Sequence, residues 1–151
     1  MDQATATNPL YDVGYNDFKN GLELFEAIKI SKGYLVDVRF SARARNPQFN
    51  GAYLQKTLGS QYVYCHDLGN ANYKGGPTEF VNLNSGLVVV MNLLQTAPVF
   101  LMCACWLRGQ CHRLEICNEI EKRYKITSTP FTVAMARLLV GEQPKLQPKL
   151  F

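Results

Sequence analysis

The chain has 151 residues, 47% of them apolar and 19% charged, a composition suited to one globular domain that buries about 70% of its unfolded surface. No apolar run reaches the roughly 18 residues of a membrane span, so a soluble chain without a membrane partner is expected. The net charge of +4 is too mild to demand nucleic acid by itself, so the placement of the arginines carries the argument.

The opening segment MDQATATNPL has neither a positive n-region nor an apolar core. A secretory signal is therefore not expected, and a cytoplasmic location is. Five cysteines are an odd number, and in that setting reduced thiols are expected. The organisation predicted is an N-terminal tail over 1–9, a single α/β domain over 10–140 and an extended C-terminal tail over 141–151.

In chain order, Leu10 to Tyr15 reads as a first strand. Asn16 or Asp17 is expected to cap a helix to about Lys29, with Phe18, Leu22, Phe25 and Ile28 as its inner stripe. Gly33 breaks that helix, and Tyr34 to Arg39 reads as a second buried strand, completing a βαβ unit with parallel strands. An arginine-rich loop, Phe40 to Asn50, leads to a short helix through Leu58. A third strand over Tyr62 to Cys65 runs into the polar loop HDLGNANYKGG. Pro77-Thr78 is expected to start a helix to Gln95, although Val88-Val89-Val90 is β-branched and disfavours it.

Val99 to Cys103 has the length and composition of a fully buried strand. After a short loop the chain turns helical at Cys111-His112-Arg113, with Leu114, Cys117, Ile120 and Tyr124 at helical spacing. Cys117 reads as core packing. A further element is expected around Phe131 to Val140. The repeated β–loop–α order predicts a three-layer α/β fold, a mostly parallel sheet with helices on both faces, whose ligands sit beyond the carboxyl ends of the strands.

A strand–loop–helix junction leaves unpaired amides at the helix start, where the dipole favours an anion. Arg39, Arg43, Arg45, Arg108 and Arg113, with Lys74, are candidates for a phosphate-binding rim, with Asp12, Asp37 and Asp67 as alternative ion-pair partners. Asp37 is either a general base or ribose ligand, or the carboxylate that orients Arg39 or Arg113. His112 is a second proton-transfer candidate. Cys111, at a helix N-terminus beside His112 and Arg113, is a candidate nucleophile. Cys103 precedes Arg108 by one residue too few for the C-x5-R loop of cysteine phosphatases. Cys103, Cys105, Cys111, His112, Cys65 and His66 lack the paired spacing of structural zinc, so no metal and no cofactor are predicted. Tyr15, His66 and Trp106 complete the candidate substrate site. Among Tyr15, Tyr53, Tyr62, Tyr64, Tyr73 and Trp106, the tryptophan is the leading stacking candidate.

Three stretches carry a resemblance: LVDVRFSARARNPQFN at Leu35 to Asn50, YCHDLG at Tyr64 to Gly69, and MCACWLRGQCHR at Met102 to Arg113. With VGYNDF at Val13 to Phe18, they resemble domain-of-unknown-function family 488. The resemblance implies a compact α/β domain and supplies no activity. The tail GEQPKLQPKLF is similar to the Q-x-x-L-F peptides that dock on the polymerase sliding clamp, with Gln147, Leu150 and Phe151 as anchors.

The reading expected is an enzyme acting on a phosphate-bearing substrate, a nucleotide or nucleic acid, by base removal or hydrolysis. Two alternatives stand beside it: a non-catalytic nucleotide or nucleic-acid binding module that inhibits or recruits a partner, and a thiol or metal protein using Cys103 and Cys111. The sequence does not decide between catalysis and binding, and it leaves the oligomeric state open.

Overall fold

The computed structural model describes residues 8–104 and 111–141. Five parallel strands form one sheet: β1 (Leu10–Gly14), β2 (Tyr34–Asp37), β3 (Tyr62–Tyr64), β4 (Val99–Cys103) and β5 (Ser128–Pro130), in spatial order β3-β2-β4-β1-β5. The helices are α1 (Gly21–Ser31), α2 (Gly51–Leu58), α3 (Leu83–Leu94), α4 (His112–Tyr124) and α5 (Val133–Gly141). The three-layer α/β architecture expected from the sequence is the one found.

The central strand explains the layering. All five residues of β4 are buried, as a strand covered on both faces requires. Phe100 and Met102 join one apolar cluster with Phe25 and Ile28 of α1, Leu54 of α2 and Ala136 of α5. Val99, Leu101 and Cys103 alternate to the other face, against Leu87 and Val90 of α3 and Ile116 and Ile120 of α4. Each such side chain is stabilised by about 1.5–3 kcal/mol relative to exposure.

Two helix starts differ from expectation for the same reason, a better cap downstream. Residues 15–17 form a 3-10 turn, and α1 begins only where the Asn20 side chain accepts the Leu22 amide at 3.0 Å. The later phase turns Leu22 outward, 46% exposed, and buries Leu24 instead. Likewise α3 starts at Leu83, because Asn82 Oδ1 accepts the Ser85 amide at 3.1 Å. Pro77 and Thr78, expected to start that helix, instead belong to a loop over 70–80 pinched by an antiparallel bridge between Asn70 and Phe80. The valine run stays helical because Val90 reaches the core. In α4 the buried face is Arg113, Ile116, Cys117 and Ile120, with Tyr124 half-buried against the same cluster and Leu114 half-buried one position off the stripe.

Strand ends are level. Gly14 stands beside Cys103, and Asp37 is beside both Met102 and Tyr64. The helix after β2 goes to one face and the helix after β4 to the other, so these adjacent strands form a topological switch point, where such sheets open a crevice.

Candidate functional site

A cavity of about 580 Å³ opens at that switch point, within the range of small-ligand sites. Arg39, Phe40, Ser41 and Arg43 line it from the loop after β2, and Ala104 and His112 from the β4–α4 junction. Asn70, Asn72, Tyr73, Gly75, Gly76 and Thr78 line it from the pinched loop. That loop is held by its own polar groups: Asn70 Oδ1 accepts the Asn72 and Glu79 amides, each at 2.9 Å, and Asn72 Nδ2 donates to the Pro77 carbonyl at 2.7 Å. Gly76 has φ 88°, and a Cβ there would stand 2.8 Å from Asn72 Nδ2, so the turn requires glycine.

Beneath the cavity wall lies Asp37, fully buried. Arg39 donates to it from Nε at 2.8 Å and Nη2 at 2.6 Å, and the Tyr62 hydroxyl donates at 2.7 Å. Burial works against the Arg39 charge, but the carboxylate outweighs it and the guanidinium is held above its ordinary range. Burial, reinforced by Asp37, raises Tyr62 so far that its phenol stays protonated. Both Asp37 oxygens are thus engaged, the arrangement of a carboxylate that orients its arginine. Tyr15 supports the pair from behind, its ring centroid 5.4 Å from the Arg39 guanidinium and 4.5 Å from the Phe49 ring.

His112 occupies the first turn of α4. Its Nε2 lies 2.7 Å from the Val38 carbonyl, which can only accept, so Nε2 carries the proton. Burial lowers its pKa from 6.5, leaving a neutral ring whose Nδ1 holds a lone pair at neutral pH. A neutral imidazole of fixed tautomer on a cavity wall has the protonation state of a general base.

Arg113 is corrected from the expected rim. It is buried on the sheet face opposite Asp37, with Nε donating to Asp12 at 3.1 Å and Nη1 at 3.0 Å from Cys103 Sγ and 3.4 Å from Cys111 Sγ. The Cys103 and Cys111 sulfurs lie close to each other and to the Arg113 guanidinium, so Cys111 is buried and not an exposed thiol. Gly14 admits the guanidinium, since a Cβ there would stand 3.1 Å from Nη1.

The remaining candidates divide. Arg45 is exposed and does not line the cavity. His66 is exposed and flanks Phe40, ring centroids 4.9 Å apart, with Nδ1 3.1 Å from the Tyr64 hydroxyl. Trp106, Arg108, Gln147, Leu150 and Phe151 lie outside the described residues. Phe40 and most of the pinched loop enter the site without having been singled out for it, whereas Tyr62 and Tyr73 were among the stacking candidates. Their signal was available: Phe40 is the apolar residue between Arg39 and Ser41, and the HDLGNANYKGG loop follows a strand end at the same sheet edge. Among the described residues no group of three or more His, Cys, Asp and Glu side chains gathers as a metal site. Nor is any helix there long and apolar enough to cross a membrane.

Fold and site together define a parallel α/β protein with a partly basic, partly aromatic cavity at the carboxyl edge of its sheet. Residues 23–76 match the family model described as "Domain of unknown function DUF488", so the resemblance read from the sequence is supported, and over that segment the chain carries the DUF488 signature. The matched segment includes the Asp37–Arg39–Tyr62 cluster and most of the pinched loop. No curated protein and no solved structure matches the chain.

Proposed function

We propose that this protein is an enzyme acting on a phosphate-bearing substrate, a nucleotide or nucleic acid, by hydrolysis or base removal. The observation that carries the reading is the cavity shared by Arg43, Arg39 and the neutral imidazole of His112. Arg43 is exposed on the cavity wall and presents a guanidinium suited to phosphate. Arg39 is largely neutralised by Asp37, so it contributes shape and a hydrogen-bond edge more than net charge. In a hydrolytic step His112 takes a proton from the attacking water at Nδ1. The water oxygen bonds the electrophilic centre, and the leaving group departs with the bonding pair and takes a proton from solvent.

The test is product analysis by chromatography across nucleoside monophosphates and single-stranded oligonucleotides. His112→Asn is expected to bind and not turn over, and Arg43→Ala to weaken binding in a salt-dependent way. Absence of phosphate-ligand binding at millimolar concentration and low salt overturns the reading. One observation favours the binding-module alternative: the Asp37 carboxylate is engaged on both oxygens, which removes one of the two expected proton-transfer groups. Unchanged substrate in every assay, with binding intact, selects that alternative. Docking of the tail carrying Gln147, Leu150 and Phe151 on a sliding clamp is a separate proposal, tested by co-elution of clamp with the full chain and with Leu150→Ala Phe151→Ala.

A further inference from the structure

Part of the cavity lining is aromatic in a way that neither core packing nor phosphate binding explains. Phe40 and Tyr73 stack on each other, ring centroids 5.4 Å apart and planes 25° from parallel, and both line the cavity. Tyr73 is 60% exposed, so its ring presents surface to solvent at the cavity. Its partner is rigidly placed. A Cβ on Gly69 would stand 2.7 Å from Phe40 Cα, and the Tyr64 hydroxyl donates to the Phe40 carbonyl at 2.6 Å. The loop that carries Tyr73 is closed by the Asn70 and Asn72 hydrogen bonds. Lys74 Nζ lies over the Tyr73 ring, 5.9 Å from its centroid, and Arg43 shares the cavity, so cations accompany the aromatic surface.

We propose that the Phe40–Tyr73 wall is a nucleobase-stacking subsite, which rests on the phosphate-substrate reading and names the other half of that substrate. A planar, unstacked base on the tyrosine face leaves its phosphate near Arg43, the pairing of aromatic and basic groups by which single bases are held. The amide side chains on the cavity each commit one end to the loop, Asn70 Oδ1 as an acceptor and Asn72 Nδ2 as a donor. Stacking on the tyrosine ring senses ring area more than edge pattern, favouring purines over pyrimidines.

The experiment compares adenosine 5′-monophosphate with ribose 5-phosphate by titration calorimetry at fixed low salt. The full chain is expected to bind the nucleotide about ten- to a hundredfold more tightly. Tyr73→Ala is expected to remove most of that ratio while leaving ribose 5-phosphate affinity unchanged, and Tyr73→Phe to keep it. Equal affinity for the two compounds, or a Tyr73→Ala loss shared equally by both, overturns the stacking subsite while leaving phosphate binding standing. If neither compound binds, the phosphate reading falls and the subsite with it. An arm with a deoxyadenosine oligonucleotide separates the two sources of the base: tighter, salt-sensitive binding than the mononucleotide assigns the subsite to a strand, and parity assigns it to a free nucleotide.

Discussion

Two aspartate–arginine pairs are buried at the carboxyl end of the sheet, one on each face, and they are built differently. Asp37 and Arg39 are two residues apart and meet through two guanidinium hydrogen bonds and one from the Arg39 backbone amide, and the Tyr62 hydroxyl also donates to Asp37. Asp12 and Arg113 are separated by 101 residues, and the same guanidinium also touches two sulfurs. The first pair borders the cavity, and the second clamps α4 to β1 below it. A buried ion pair is thus no mark of a site by itself. What matters is whether its outer edge reaches a space that a ligand can enter.

Substitutions can separate the two pairs. The largest expected effect is Asp37→Ala, which leaves a buried guanidinium and a buried phenol without their acceptor. A loss of about 3–5 kcal/mol is expected in urea denaturation, together with weakened ligand binding as Arg39 shifts. Asp12→Ala is expected to cost about 3 kcal/mol and to leave nucleotide affinity in the surviving folded fraction unchanged. If both variants weaken binding equally, the distinction between the pairs fails. Tyr62→Phe removes one donor while Arg39 still covers the carboxylate, so a loss of about 1–2 kcal/mol is expected by the same measurement.

The pH dependence sharpens the comparison at the cavity wall. The folded state holds His112 below its ordinary 6.5 because of burial, so below that pH the unfolded chain binds a proton that the native chain resists. Stability is therefore full above about pH 6.5 and declines as pH falls toward the lowered native value. His112→Asn is expected to remove that part of the slope in denaturation midpoints measured from pH 5 to 8. The smallest effect on stability belongs to Arg43→Ala, expected within about 0.5 kcal/mol of the parent while phosphate affinity falls about tenfold in calorimetry.

Most of the scaffold was readable from residue patterns. The buried run at Val99–Cys103, the βαβ order and the junction at His112 are local signals, and each element was found where its pattern lies. Helix starts were less legible because Asn16, Asp17, Asn20 and Asn82 all have capping side chains, and only packing selects among them. The site was legible as a sheet edge but not as a surface. Arg113 has the same sequence signature as an exposed phosphate ligand, and only the fold reveals that Asp12 claims it. Tyr73 was one aromatic among several, since stacking on Phe40 depends on a loop closure made by asparagine side chains.

The position of β4 has a consequence for how the chain acquires its form. The first two strands never touch; the strand that joins them arrives some sixty residues later, between its two neighbours. Everything up to α3 therefore waits, with two strand edges open, for residues 99–103 to slot in. Non-local closure of this kind slows folding, and during synthesis the open edges are where a chaperone, or a second nascent chain, would first take hold.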